Sequence, residues 1–311
     1  VTTSAEQWLR SIELEIGEGG PLGLGGFAIK SSSTEPRQLR VAFAIERDEK
    51  PWPNSATIRI WNLHADHRDS LADQRGIPCR LKAGYRSGTG VLFEGRLRDA
   101  QSYHDGTDWI TELGAGDGEL NTDGEPIASG SIHKTWSRGT PVFQILKDFA
   151  TEMKVDPGNS AIAGAAARLT TGVALSHAFT VDGPILDEFI YFMRAAGLPW
   201  SIQDGALQVR AAVEAPAGVG PIVSPFTGLV GRVETSTRKV ERENTLTKAK
   251  ELTETKVSAG KCLLLPGLKP GLSFLLQSST VIGLHLCTGV RHAGDTHGGE
   301  WYTEFEGDHL G

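Results

Sequence analysis

The chain has 311 residues, 39% of them hydrophobic, and its 31 Lys and Arg against 38 Asp and Glu leave a formal net charge of −7. That length suits about two domains, and the apolar share is enough to bury a core. The acidic balance argues against a general nucleic-acid binder, which needs a basic face, and no run approaches the ~18 consecutive apolar residues of a membrane-spanning helix. Residues 1–6 carry neither a basic start nor a hydrophobic run, so no secretory signal is expected. Cys79, Cys262 and Cys287 are odd in number, far apart and set in apolar stretches. They read as buried thiols of a chain made in a reducing cytosol, not as a disulfide frame.

Residues 1–118 read as β structure. Apolar side chains recur at every second position in 12–16 and 39–45, and 55–61 continues the pattern with Ile58 and Ile60 on one face. Segments 80–85, 91–98 and 109–113 complete about six strands, the last three linked by the Gly-bearing turns at 87–90 and 105–106. Such spacing favours an antiparallel barrel or sandwich.

From residue 119 the period changes. Thr140-Pro141 opens a helix with Val142, Ile145, Leu146, Phe149 and Met153 on one face. A second helix starts near Asp182-Gly183-Pro184, turns Ile185, Leu186, Phe189, Ile190 and Met193 inward, and stops at Gly197. Asp204-Gly205 then signals a two-residue hairpin between 200–202 and 207–209. Residues 119–210 therefore form a small inserted α+β domain, followed by an Ala/Gly/Pro linker over 211–225. In the last segment, 226–311, residues 233–242 alternate weakly and 245–257 fits strand or helix. A clear strand pattern resumes from Cys262, through the turn Lys269-Pro270-Gly271, to 272–277 and 281–290.

One long-range echo is present. The first β region ends with Leu97-Arg98, His104-Asp105-Gly106 and Trp109-Ile110-Thr111-Glu112-Leu113. The C-terminal region ends with Val290-Arg291, His297-Gly298-Gly299 and Trp301-Tyr302-Thr303-Glu304-Phe305. Each is a strand, a Gly-bearing hairpin and a Trp-apolar-Thr-Glu-apolar strand, with Leu81 and Leu272 as counterparts upstream. Ordering and spacing together argue for a duplicated β domain.

These residues resemble a family. Residues 53–63 (PNSATIRIWNL) look like the early-strand motif of phage tail baseplate central hub proteins, the trimeric tube-to-spike adaptors of contractile-tailed phages. Phe93-Glu94-Gly95, Gly106-Thr107-Asp108-Trp109, Gly116-Asp117-Gly118, Leu263-Leu264-Leu265-Pro266 and Val290–Asp295 with Trp301 fit the same family in the same order. Where the family typically shows a Gly-Tyr-Arg-Val-like strand, this chain has Gly283-Leu284-His285-Leu286. The resemblance implies a mainly β fold with an α+β insertion: two tail-tube-like antiparallel β-barrels in one chain, the first over 1–118 and the second over 226–311. It further implies a homotrimer that docks a trimeric tail spike, the distal tail tube or tube-initiator protein and other baseplate proteins. DNA would pass through the lumen without specific binding, and no membrane anchor is expected. The protein would be made in the host cytoplasm and end in the virion baseplate.

No catalytic, cofactor-binding or metal residue is assigned, and no enzyme activity is expected. His285, His292, His297 and His309 cluster near the C-terminus with Asp295 among them, but His285 and His292 would face opposite sides of a regular strand. Gly294–Gly299 is more simply a turn. The acidic stretch with Asp117, Glu119, Asp123 and Glu125 lacks a calcium-loop frame and reads as a solvated linker. The Gly-rich stretch 17–26 lacks the ending of a phosphate loop. The charged run 232–256 reads as a solvated face or a subunit contact, and Trp8, Trp52 and Trp136 as satellite core or partner anchors. Two alternatives stand beside the hub: a tail-associated cell-wall hydrolase, and a distal-tail or receptor-binding module of a non-contractile phage.

Overall fold

Alternation builds the first half as the sequence reads it. The computed structural model describes residues 9–17, 26–32, 38–50, 53–121, 123, 125–156, 174–196, 198–209, 220–243 and 250–310. The expectations for the Gly-rich stretch at 18–25, for Trp8 and Trp52, and for the linker at 211–219 lie outside these residues. Strands β1 (Arg10–Ile16), β3 (Val41–Asp48) and β4 (Asn54–Trp61) bury every second side chain. With β2 (Phe27–Ser32), β5 (Pro78–Tyr85), β6 (Gly88–Asp105) and β7 (Asp108–Asp117) they make seven strands, not about six. A short helix, α1 (Ala65–Ala72), follows β4 and buries only Leu71. Its weak apolar pattern hid it from the periodicity.

The insertion has its own core. Strands β8 (Ser131–Trp136) and β9 (Phe179–Pro184) pair antiparallel. They pack with α2 (Val142–Glu152), α3 (Ile185–Ala196) and the hairpin β10 (Trp200–Gln203)–β11 (Ala206–Val209). Pro141 is the residue before α2 rather than its first, and Phe192 is buried where Leu186 and Ile190 were expected. Trp136 stacks on Phe179 and donates to Asp148, which makes it a core residue of the insertion.

In the last segment the ambiguous charged run forms two long strands, β13 (Leu229–Glu243) and β14 (Lys250–Leu263), paired antiparallel. They join β12 (Ile222–Val223), β15 (Ser273–Gln277), β16 (Ile282–Asp295) and β17 (Trp301–His309). All of these enter one 13-stranded sheet with the first half, in the order β13-β14-β17-β16-β3-β4-β7-β6-β5-β1-β2, with β15 paired to β16 and to β12. The two halves each keep a core on the same side of this sheet. The β-rich fold with its α+β insertion is as expected; closure of either half into a barrel is not seen in the hydrogen-bonded pairs of the described residues. Among the described residues no helix is long and apolar enough to cross a membrane.

Candidate functional site

The sheet is built twice. Within the first half the neighbours run β3-β4-β7-β6-β5-β1, and within the second β13-β14-β17-β16-β15-β12. Matching Trp109 to Trp301 carries through the central ladders, while each half adds one irregularity of its own, between Leu81 and Lys82 in the first and between Val230 and Glu234 in the second. Thr111 pairs with Ser102 and Thr303 with His292; Ile60 pairs with Thr111 and Cys262 with Thr303. The amide of Asn62 donates to the Trp109 carbonyl, and that of Leu264 to the Trp301 carbonyl. A bulge falls at the same place in both long strands, at Arg98 in β6 and at Thr288 in β16. The register also corrects one pairing: the counterpart of Leu81 is Leu276, not Leu272. The halves differ at their outer end, where β1 pairs antiparallel to β5 but β12 parallel to β15.

That bulge revises the histidine reading. One extra residue between His285 and His292 cancels the odd spacing, so both face inward and both are buried. His292 shares a 2.8 Å hydrogen bond with Thr303, and burial, aided by Arg47 and Lys269, pushes its pKa down to about 3. His285 sits 2.9 Å from the Ser258 hydroxyl and 3.0 Å from the Gly283 carbonyl, which resembles a nucleophile, base and orienting group. Ser258 and His285 are 1% and 0% exposed, so no substrate reaches that pair as it stands. Among the described residues no three His, Cys, Asp or Glu side chains gather as a metal-ligand group.

The halves meet at a seam of β16 against β3, seven antiparallel pairs from Gly289↔Asp48 to Asp295↔Ala42. Gly294 is required there, because a Cβ would lie 2.4 Å from the Phe43 ring and 2.8 Å from Trp301. Trp301 thereby joins the core of the first half. The turn at 295–300 is clamped from the first half: Arg10 donates to the carbonyls of Asp295 and Gly298, and Arg40 pairs with the Asp295 carboxylate at 2.6 Å. Burial would raise the Asp295 carboxyl; the bond and charge of Arg40 and the backbone amides of His297 and Gly298 together outweigh it and hold the group below its ordinary value. Asp295 also accepts from the His297 amide, as turn chemistry requires.

A buried polar knot fixes the insertion to this seam. The Arg47 side chain is 1% exposed and donates to the Leu92 carbonyl and to Gln203, while pairing with Asp204 at 3.0 Å. Lys269 reaches the same carboxylate at 3.0 Å. Asp204 takes positive φ, as the hairpin turn demands, so its amide and that of Gly205 both point at Asp117. Asp117 is 2% exposed and burial lifts its pKa to about 6. It is a docking residue, not part of a solvated linker; nothing in a lone acidic position distinguishes the two in sequence. Farther along, Asn121 accepts from the amides of Asp123 and Glu125, and Lys154 pairs with both carboxylates.

The sheet's other face is exposed and ionic. Arg59 pairs with Glu112 at 2.6 Å, and at the matching register Lys261 pairs with Glu304. Arg291 pairs with Glu46 and Glu304, and Arg238 with Glu306. A charged cleft of about 660 Å³ lies on the seam, lined among others by Glu46, Asp48, Arg238, Arg291 and Glu306.

No family model and no curated protein matches the chain. Solved structures do. A tail protein from Neisseria meningitidis superposes with a TM-score of 0.56 at 11% identity, over 96% of both chains. The 43 kDa tail protein of prophage MuSo2 from Shewanella oneidensis gives 0.57 at 8%, over 96% of this chain and 98% of that one. An Escherichia coli component of the type VI secretion system, itself similar to the T4 phage tail proteins gp27 and gp5, gives 0.51 at 10%, over 88% and 74%. The chain has the fold of phage tail proteins. At these identities the likeness concerns fold alone.

Proposed function

We propose that the chain is a non-catalytic structural hub of a phage tail baseplate. It acts as a homotrimer that adapts a sixfold tail tube to a trimeric spike and forms part of the DNA conduit. The observation that carries this is the duplication: two sheet halves with the same strand order, and across their central strands the same register and bulge, sit side by side in one chain. Three chains then present six similar halves to a sixfold partner while keeping threefold symmetry for a spike. The structural neighbours support a tail role, and through it association with other tail and baseplate proteins in the virion.

The exposed ionic face supports the conduit. Arg59, Lys261, Arg291 and Arg238 are each held by a carboxylate, which lowers the attraction of these four cations for phosphate, in a chain of net charge −7. The mass of the purified particle tests the proposal: three chains are expected, whereas a single-layer particle of six chains would favour the distal-tail reading.

A further inference from the structure

The seam between the halves leaves two matching edges open. Within the chain, residues 289–295 of β16 have β17 on one side and β3 on the other. Among the described residues the equivalent stretch of β6, residues 99–105, pairs with β7 alone, because β5 covers β6 no farther than Arg96. Likewise β3 lies between β4 and β16, while its counterpart β13 pairs with β14 alone and ends the sheet. One half therefore lacks a β13-like neighbour and the other a β6-like one. The side chains of 101–105 and 234–239 are exposed, and among the described residues no strand pairs with either edge; α1 packs on β6 without adding a strand to it.

We propose that β6 of one copy pairs antiparallel with β13 of the next copy, in the register that the internal seam dictates. This deepens the hub reading and rests on it for the number of copies. Transferring the pair Gly289↔Asp48 through the two matched halves puts Asp99 opposite Arg238. Gln101 then faces Ser236, Ser102 faces Thr235, and Tyr103 faces Glu234. Opposite charges meet at one end of this ladder, on the ionic face. At its other end the seam template brings the 105–108 turn against the entry to β13. Phe226, 92% exposed, and Val230, 47% exposed, lie there. A long open edge is ordinarily blunted or covered, and a second copy supplies the cover. The contact joins two different edges, so it propagates head to tail and must close into a ring or run on as a filament.

Disulfide capture on the full chain tests the register, since the native Cys79, Cys262 and Cys287 are buried. Adjacent pairs in an antiparallel ladder have Cα separations of about 4.5 and 5.5 Å, both within disulfide range. Gln101→Cys with Ser236→Cys, and Ser102→Cys with Thr235→Cys, should each give chain-to-chain crosslinks on oxidation, reversed by reductant. Gln101→Cys with Thr235→Cys puts the thiols on opposite faces and should lose most of that yield. Crosslinks in the predicted pairs with a mass other than three chains would keep this junction and overturn the trimer. A three-chain particle with no crosslink, or with equal yield from the mismatched pair, would overturn the junction and keep the trimer. Monomer at every concentration with no crosslink would overturn both.

Discussion

Arg47 joins three parts of the molecule: it stands on β3, reaches the Leu92 carbonyl of β6, and ties down the Asp204 hairpin of the insertion. Removing one partner of a buried ion pair leaves the other charge uncompensated, which costs about 3–5 kcal/mol. Arg47→Met should therefore lower the unfolding free energy from urea titration by up to about that amount, Lys269 still facing Asp204, and open the insertion to protease before the sheet. Lys269→Met, which removes the more exposed partner of Asp204, should cost less. His292 sets an acid limit. Its folded pKa of about 3 lies below its unfolded value, so the unfolded chain binds a proton first and stability falls as pH drops from about 6.5 toward 3. The slope approaches about 1.4 kcal/mol per pH unit. Asp117, raised to about 6, acts in the opposite sense: the folded state takes its proton first, offsetting part of that loss between about 6 and 4. His292→Asn should flatten or invert the pH dependence of the urea midpoint between pH 6.5 and 4.5; an unchanged slope would remove His292 from this role.

Among the elements, the two bulges carry the repeat. A strand's side chains alternate, so deleting one residue moves everything beyond it to the other face. Deleting Thr288 would turn Arg291 into the core and His292 and Val290 out of it, and should cost at least about 3 kcal/mol as an uncompensated buried charge. Deleting Arg98 shifts a stretch whose outer side chains are exposed, and should cost much less. Equal losses in thermal unfolding would contradict the assigned register. The bulge also marks where the sequence was legible. Strict alternation in β1, β3 and β4 gave their buried faces directly, and the Asp204-Gly205 hairpin was readable from its turn residues. The faces of His285 and His292 were not, because a bulge has no reliable residue signature. Strand β13 was ambiguous because its described side chains are mostly exposed, which removes the alternation that burial imposes. The docking role of Asp117 and Arg47 depends on partners 87 and 156 residues away, beyond any local pattern.

At the scale of the whole molecule, the duplication and the ionic face bear on the same role. If the exposed face lines a DNA passage, its paired charges should keep the particle from retaining duplex DNA at physiological salt. Glu46→Lys, Glu112→Lys and Glu304→Lys together would release Arg59, Lys261 and Arg291 from their carboxylates. The triple variant should then bind DNA with an affinity that falls steeply as salt rises. Strong binding by the unaltered particle would argue against a conduit. In the proposed hub the two halves occupy equivalent places in a closed assembly of three chains. Single-particle imaging of the purified particle tests this most directly. A threefold ring is expected, in which six superposable sheet halves surround one open bore. A ring in which only one half of each chain faces the bore would contradict it.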